Sequence, residues 1–143
     1  MLCGSFTGVR QNHTKAHFTR AVLEGVSLSL LDSKIYLDGL GIKYNSRATL
    51  IGGGGKGRLW AQITSDMLGM PLRITESSDS SLGSAMLAGV ACGVFSTAQK
   101  AAEKCVKEVD TVVPNLKNTE KYRKVYAEYK KIHDALAPIY RER

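Results

Sequence analysis

The sequence predicts an α/β fold, and three neighbouring observations carry that prediction. Arg47-Ala48-Thr49-Leu50-Ile51 is a compact apolar run that enters a string of glycines and reads as a buried strand. Residues 57–68 place Leu59, Trp60, Ile63 and Met67 on one helical face, with Gly69 and then Pro71 as stop signals. Leu72-Arg73-Ile74-Thr75 follows as the next strand, and strand, helix and strand at this spacing form a parallel crossover unit. Chemistry in such a unit lies at the carboxyl end of the first strand.

The flanking elements follow from the same local rules. Gly4 to Val9 alternates weakly and predicts a short strand, followed by a turn through Gln11-Asn12-His13. From Thr14, a suitable N-cap, to about Asp32, the positions Phe18, Ala21, Val22, Val26, Leu28 and Leu31 predict a helix. Gly25 weakens it locally and suits a close crossing against another backbone. After the polar loop 76–81, residues 82–92 predict a helix dominated by Gly83, Ser84, Ala85, Ala88, Gly89 and Ala91. Ser96 with Gln99 has the capping-box spacing and opens a helix to about Lys107. Residues 110–115 read as a connection. The last helix carries Tyr122, Val125, Tyr126, Tyr129, Ile132, Leu136 and Ile139 at three- and four-residue spacings, with Pro138 expected to bend or end it.

Composition narrows the function classes. A chain of 143 residues, 43% hydrophobic and 23% charged, is about the size of one domain. No apolar run reaches the ~18 residues of a membrane span, and Met1 to Gly4 has no signal-peptide character, so the expected location is the cytoplasm. Cys3, Cys92 and Cys105 are scattered, without zinc-site spacing, and read as reduced thiols. The formal net charge of +7 is spread among acids rather than gathered in a one-signed patch, which argues against a nucleic-acid surface. His13 and His17 lie four apart but lack a third ligand, so no metal site is expected. Glu24 reads as a solvated or locally paired carboxylate, and the Tyr122, Tyr126 and Tyr129 stripe as core or docking surface.

The run Ile51-Gly52-Gly53-Gly54-Gly55-Lys56-Gly57-Arg58-Leu59-Trp60 is the best clue to function, because missing side chains let a backbone approach a phosphate or nucleotide closely. The phosphate-loop pattern fails: Leu50 stands where its first glycine belongs and Gly57 where its hydroxyl belongs. A dinucleotide fingerprint matches formally through Gly52, Gly54 and Gly57, with Glu76 at about the distance of a ribose-binding acid. Four successive glycines satisfy many templates, so that match is unspecific, and a tight strand-to-helix turn explains it equally well.

A third reading uses more of the chain. Leu23-Glu24-Gly25-Val26, the glycine run and Ser81-Leu82-Gly83-Ser84-Ala85-Met86-Leu87-Ala88-Gly89, in this order and at these intervals, resemble the carboxyl-terminal domain of the FGGY carbohydrate kinases, most closely its xylulokinase members. Gly4-Ser5-Phe6-Thr7-Gly8 and His13-Thr14-Lys15-Ala16-His17 look like that family's approach to the first helix, so the resemblance covers roughly residues 4 to 97. It implies an actin-like ATPase (ribonuclease H-like) domain, truncated at its N-terminus, over residues 1–97, and a helical C-terminal extension over 98–143. It also implies ATP or ADP with Mg²⁺ as cofactor, and transfer of the γ-phosphoryl to a sugar or polyol, a five-carbon ketose for the xylulokinase type.

By that similarity Gly52, Gly53, Gly54 and Gly57 form the nucleotide-binding segment. Gly57 stands where relatives often carry Ser or Asn beside the nucleotide. Ser81 to Ala85 matches a connecting motif near the hinge between the family's two domains, and an ordinary helix contact within one domain accounts for its small residues equally well. The catalytic aspartate, the phosphate loops and most of the magnesium site belong to parts of the family's chain not represented here, so no catalytic or metal-binding residue is assigned. Asp32, Asp38, Asp66 and Asp79 do not sit in the motif of the base. The expectation is therefore a nucleotide-binding part of a sugar kinase, inactive alone, completed by a separate chain. A non-catalytic binding module, including a homo-oligomer, and a dinucleotide-dependent enzyme remain as alternatives.

Overall fold

A computed structural model of the chain describes residues 4–52, 57–76 and 79–141. Within them the fold is mixed α/β, with five helices and three strands. The predicted crossover unit is present: β1 (Ala48–Leu50), α2 (Arg58–Leu68) and β2 (Leu72–Thr75), preceded by α1 (Lys15–Gly39). The two strands pair in parallel, with Ala48 opposite Leu72 and Leu50 opposite Ile74. Gly69 ends α2 in the left-handed conformation, φ 63°, as its position after the last apolar residue requires.

A third strand, β3 (Glu108–Val112), lies antiparallel to β2 and places β2 in the middle of the sheet. It occupies the segment read as a connection. The β-branched Val109, Thr111 and Val112 were its only local signal, without strict alternation, and a five-residue strand forms only where a neighbour supplies the ladder. The converse holds at 4–9. Those residues form no strand, and Phe6 instead packs edge-on against Phe18, ring centroids 5.2 Å apart.

Helix boundaries moved where tertiary or side-chain partners extended them. Instead of stopping near Asp32, α1 runs to Gly39, and its last turns carry a Lys34–Asp38 ion pair of 2.9 Å. Gly25 makes no close crossing among the described residues, none of which lies within 4 Å of a Cβ placed there. The small-residue helix α3 (Ser80–Ala91) starts two residues early because Asp79, rather than a loop serine, caps it. In α4 (Ala98–Cys105) the cap is Thr97, whose Oγ1 accepts from Lys100 N at 3.2 Å, while Gln99 turns to Glu103. Helix α5 (Leu116–Arg141) continues past Pro138 to Arg141. Three residues from the end, the proline removes one backbone donor and leaves the last turn standing.

The second helix, α2, is the slab around which the rest is packed. Ala61 meets Leu72 and Val112 on the sheet, with Leu50, Leu68 and Ile74 around them. Ile63 and Met67 meet Leu28 of α1 and Tyr122 of α5, flanked by Trp60, Tyr126 and Tyr129. Because both sides are covered, α2 buries more than the single face its sequence shows, and Thr64, Ser65 and Asp66 are buried with it. Leu59, expected inside, lies outside at 60% exposure.

Buried polar groups need partners, and these have them. Ser27 Oγ and Thr64 Oγ1 are 2.9 Å apart across the α1–α2 interface, and Trp60 Nε1 donates to Ser27 Oγ at 3.0 Å. Ser65 Oγ lies 3.0 Å from the Met70 carbonyl and 3.1 Å from the Val112 carbonyl, so its one proton is shared between the α2–β2 turn and the end of β3.

Candidate functional site

Helix starts are ready-made anion sites unless a side chain occupies their free N–H groups. Among the described residues, three of the five helix starts have a side chain on their first N–H groups, and at α1 His17 Nδ1 accepts from the amide of the N-cap itself, Thr14 N. At α3, Asp79 Oδ1 accepts from Leu82 N, and at α4 Thr97 serves Lys100 N. At α5, Asn115 Oδ1 accepts from Lys117 N, and the carboxylate of Asp66 lies at the same end.

The start of α2 differs. Its N-cap is Gly57, φ −97° and ψ 97°, which has no side chain to offer; as in the other four helices, no acidic residue stands in its first turn. The described chain stops short of it at Gly52, whose φ of 80° is a left-handed conformation that favours glycine, and no described residue lies within 4 Å of where a Cβ would stand. Ile51, Gly52 and Gly57 are all exposed, so the described margins of the strand-to-helix segment face solvent. The segment leaves the carboxyl end of β1, the place where parallel α/β sheets bind their ligands. Of the predicted site residues, the structure places Gly52 and Gly57 at this opening; Gly53 and Gly54 lie outside the described residues.

Arg58 follows the cap, 83% exposed, with Nη1 donating to Asp110 Oδ2 at 2.6 Å. That pair ties the start of α2 to β3, and only the unpredicted strand makes it possible. A second residue invisible to pattern reading is Asp66, 3% exposed. Its Oδ1 accepts from Asn115 N and from Gln62 Nε2, and its Oδ2 from Asn118 Nδ2, each at 2.8 Å. It anchors α5 on α2. In sequence it looked like any helical carboxylate.

The other singled-out residues have structural partners. Glu24 accepts from Arg20 Nε at 2.6 Å and from the Tyr122 hydroxyl at 2.9 Å, a locally paired carboxylate as read. Burial raises the Tyr122 hydroxyl above its ordinary pKa, with Arg20 opposing and Glu24 adding to the shift. Tyr126 donates to Asp32 at 2.5 Å; burial first, and that bond second, push it up to about 12. The same bond holds the Asp32 carboxyl below the usual range. The tyrosine stripe is thus core and inter-helix contact. The rings of His13 and His17 stack at 5.1 Å, and among the described residues no group of three or more His, Cys, Asp or Glu gathers to hold a metal. The exposed small-residue face of α3 includes Gly83, with nothing within 4 Å of a Cβ there, whereas a Cβ on Gly89 would meet the Phe95 ring at 2.8 Å. Among the described residues no helix is long and apolar enough to cross a membrane.

A glycine-bordered, uncapped helix start at the end of a parallel strand is an architecture suited to phosphate-bearing ligands, and comparison with known proteins gives the class. Residues 2–92 match the C-terminal domain of the FGGY family of carbohydrate kinases, and the chain belongs to that family. Among its relatives, the xylulose kinase of Staphylococcus epidermidis is 37% identical over 131 residues, 91% of this chain and 26% of that protein. The xylulose kinase of Lactococcus lactis is 33% identical over 139 residues, 95% of this chain and 28% of that protein. The crystal structure of xylulose kinase from Rhodospirillum rubrum superposes with a TM-score of 0.79 at 26% identity, over 98% of this chain and 28% of that one. The chain therefore spans about a quarter of the length of the relatives it matches.

Proposed function

We propose that this chain is the nucleotide-binding part of an ATP-dependent sugar kinase of the xylulokinase type, in an actin-like ATPase domain, and that alone it does not phosphorylate sugar. The single observation that carries the reading is the start of α2, a helix N-terminus left without a side-chain cap and entered through glycine. When bound, MgATP would supply the phosphoryl group, with the metal neutralising charge in the transfer. The chain's own contribution is main-chain binding. Gly52, Gly53 and Gly54 let the backbone approach the α-phosphate and ribose, and the first N–H groups beyond Gly57 offer the positive end of a helix dipole. Residues at this opening fit an anionic ligand, since no acid stands in the first turn. Xylulose kinase relatives support D-xylulose as the acceptor, giving ADP and xylulose 5-phosphate in the completed enzyme.

The lack of catalysis is supported by how the aspartates are spent. Asp32 is held by Tyr126 and Lys130, Asp38 by Lys34 and Tyr44, and Asp66 by three donors in the core. Asp79 caps α3, Asp110 holds Arg58 and Asp134 lies against His133. Each of these six aspartates already has a partner among the described residues.

Calorimetric titration of the chain with ADP and with NAD tests the site. ADP is expected to bind and NAD not, and Gly53→Val is expected to weaken ADP without unfolding the chain. Preferential NAD binding would instead support the dinucleotide reading, and turnover of ATP with D-xylulose by the chain alone would refute the claimed inactivity. A second reading, a non-catalytic interaction module, draws on the exposed ladder Phe18, Val22, Val26 and Leu30 along the outer face of α1. Concentration-dependent self-association without ADP affinity would favour it.

A further inference from the structure

We propose that His13 and His17 form an acid-released clasp that holds the segment before α1 against the helix. In sequence the two histidines lie four apart without a third ligand, and the structure gives their rings a role of their own. His17 Nδ1 faces two donors, Thr14 N at 3.1 Å and Thr14 Oγ1 at 2.9 Å, and thereby completes the capping box of α1 from the third helical position. His13 Nδ1 accepts from Arg10 N at 3.3 Å, closing the turn that brings the segment onto the helix. A main-chain N–H can only donate, so both imidazoles are neutral and carry their proton on Nε2.

The rings stack on each other at 5.1 Å, 18° from parallel, and Phe6 packs on Phe18 beside them. Together they wall a groove of about 260 Å³ between the segment and α1, lined also by Val9 and Ala21.

Protonation attacks this arrangement at three points. A proton on either Nδ1 takes the lone pair that receives the backbone N–H, so the acceptor becomes a donor facing a donor. Two imidazolium rings in stacking contact repel. Both charges also fall at the positive end of the α1 dipole, whose first turn contains no acid. The surrounding charges do not compensate. Arg10 lies in the turn, Lys15 opens the helix and Arg20 lines the groove, all cationic; Glu24, the one carboxylate lining it among the described residues, is bonded to Arg20 and to Tyr122 of α5. Segment 4–9 contributes no titratable side chain. Once the rings are protonated, the clasp opens and residues 4–13 leave the helix.

Nuclear magnetic resonance of the full chain between pH 8 and pH 5.5 tests this. At pH 8 both rings are expected as the Nε2–H tautomer in long-range ¹H–¹⁵N spectra. On acidification the Arg10 and Thr14 amide signals should move in step with the ring titrations, and order parameters at Phe6, Thr7 and Val9 should fall from about 0.85 to below about 0.6. His17→Gln retains a non-titrating acceptor at the capping-box position, so it should keep the helix start and lose the pH response at Thr14. Unchanged circular dichroism and Trp60 fluorescence at pH 8 would show that variant folded. An Nδ1–H tautomer of His17 at pH 8, a segment equally rigid at both pH values, or an unaltered pH response in folded His17→Gln would each overturn the clasp.

Discussion

Removing the Asp66 carboxylate should separate α5 from the rest of the fold. Asp66 is 3% exposed and accepts three hydrogen bonds of 2.8 Å, from Gln62 Nε2, Asn115 N and Asn118 Nδ2. Gln62 also donates to the Val113 carbonyl at 3.0 Å on the exposed side, so it has an alternative and is left out of the sum. Hydrogen bonds to a charged group contribute about 1.5–3 kcal/mol each, and the loss of a carboxylate from the start of α5 adds about 0.5 kcal/mol. Asp66→Ala should therefore cost about 4 kcal/mol, a large part of the ~5–15 kcal/mol that holds a domain together. Asp66→Asn keeps one oxygen for Asn115 N and turns an NH₂ towards Asn118, for a cost of about 2 kcal/mol. Urea unfolding followed by Trp60 fluorescence reads both, because this single tryptophan bonds to Ser27 and Leu23 across the α1–α2 interface that Tyr122 of α5 covers. With a slope of about 2 kcal/mol per molar urea, the midpoint for Asp66→Ala should drop by about 2 M. A midpoint within about 0.3 M of the unsubstituted chain would refute the anchoring role.

Two further predictions concern single contacts. Gly69→Ala puts a Cβ on a residue at φ 63° and 3.2 Å from Thr119 Cγ2, so it should cost about 1–2 kcal/mol and lower the thermal midpoint by several degrees; an unchanged midpoint would contradict the assigned cap. Tyr126→Phe removes the bond to half-exposed Asp32, with an expected loss of about 1 kcal/mol at pH 7. The sign with pH follows from the two shifts. Asp32 is lowered, so its contribution is complete above the usual carboxylate range and disappears as pH falls through its folded value; Tyr126 is raised to about 12, so its contribution is complete below pH ~10 and disappears between there and 12. Unfolding curves across pH 3–7 should show the parent losing this increment on the acid side and Tyr126→Phe lacking it; parallel curves would count against the bond.

The parts of the fold that were legible in the sequence are those whose signals are local. Alternation and helical period gave β1, α2 and β2, and Gly69 marked the end of α2 one residue after its last helical position. Gly57 announced a helix start without a side-chain cap for the same reason: absence of a side chain is a local property. What failed depended on partners distant in sequence. β3 exists because β2 offers a ladder more than thirty residues earlier, and 4–9 is no strand because no described neighbour offers one. The Ser96 cap lost to Thr97 one position on, a choice between two hydroxyls that composition cannot make.

By itself, then, the sequence determined the crossover unit, the glycine-entered helix start and the kinship with carbohydrate kinases, since backbone propensity and turn chemistry act over a few residues. The tertiary structure alone decided that α2 is covered on both sides, that Asp66 leaves water to hold α5, that Arg58 meets Asp110, and that two histidines turn their Nδ1 atoms to backbone amides. Whether a polar side chain is solvated, paired or buried depends on what packs over it, and that neighbour comes from another part of the chain.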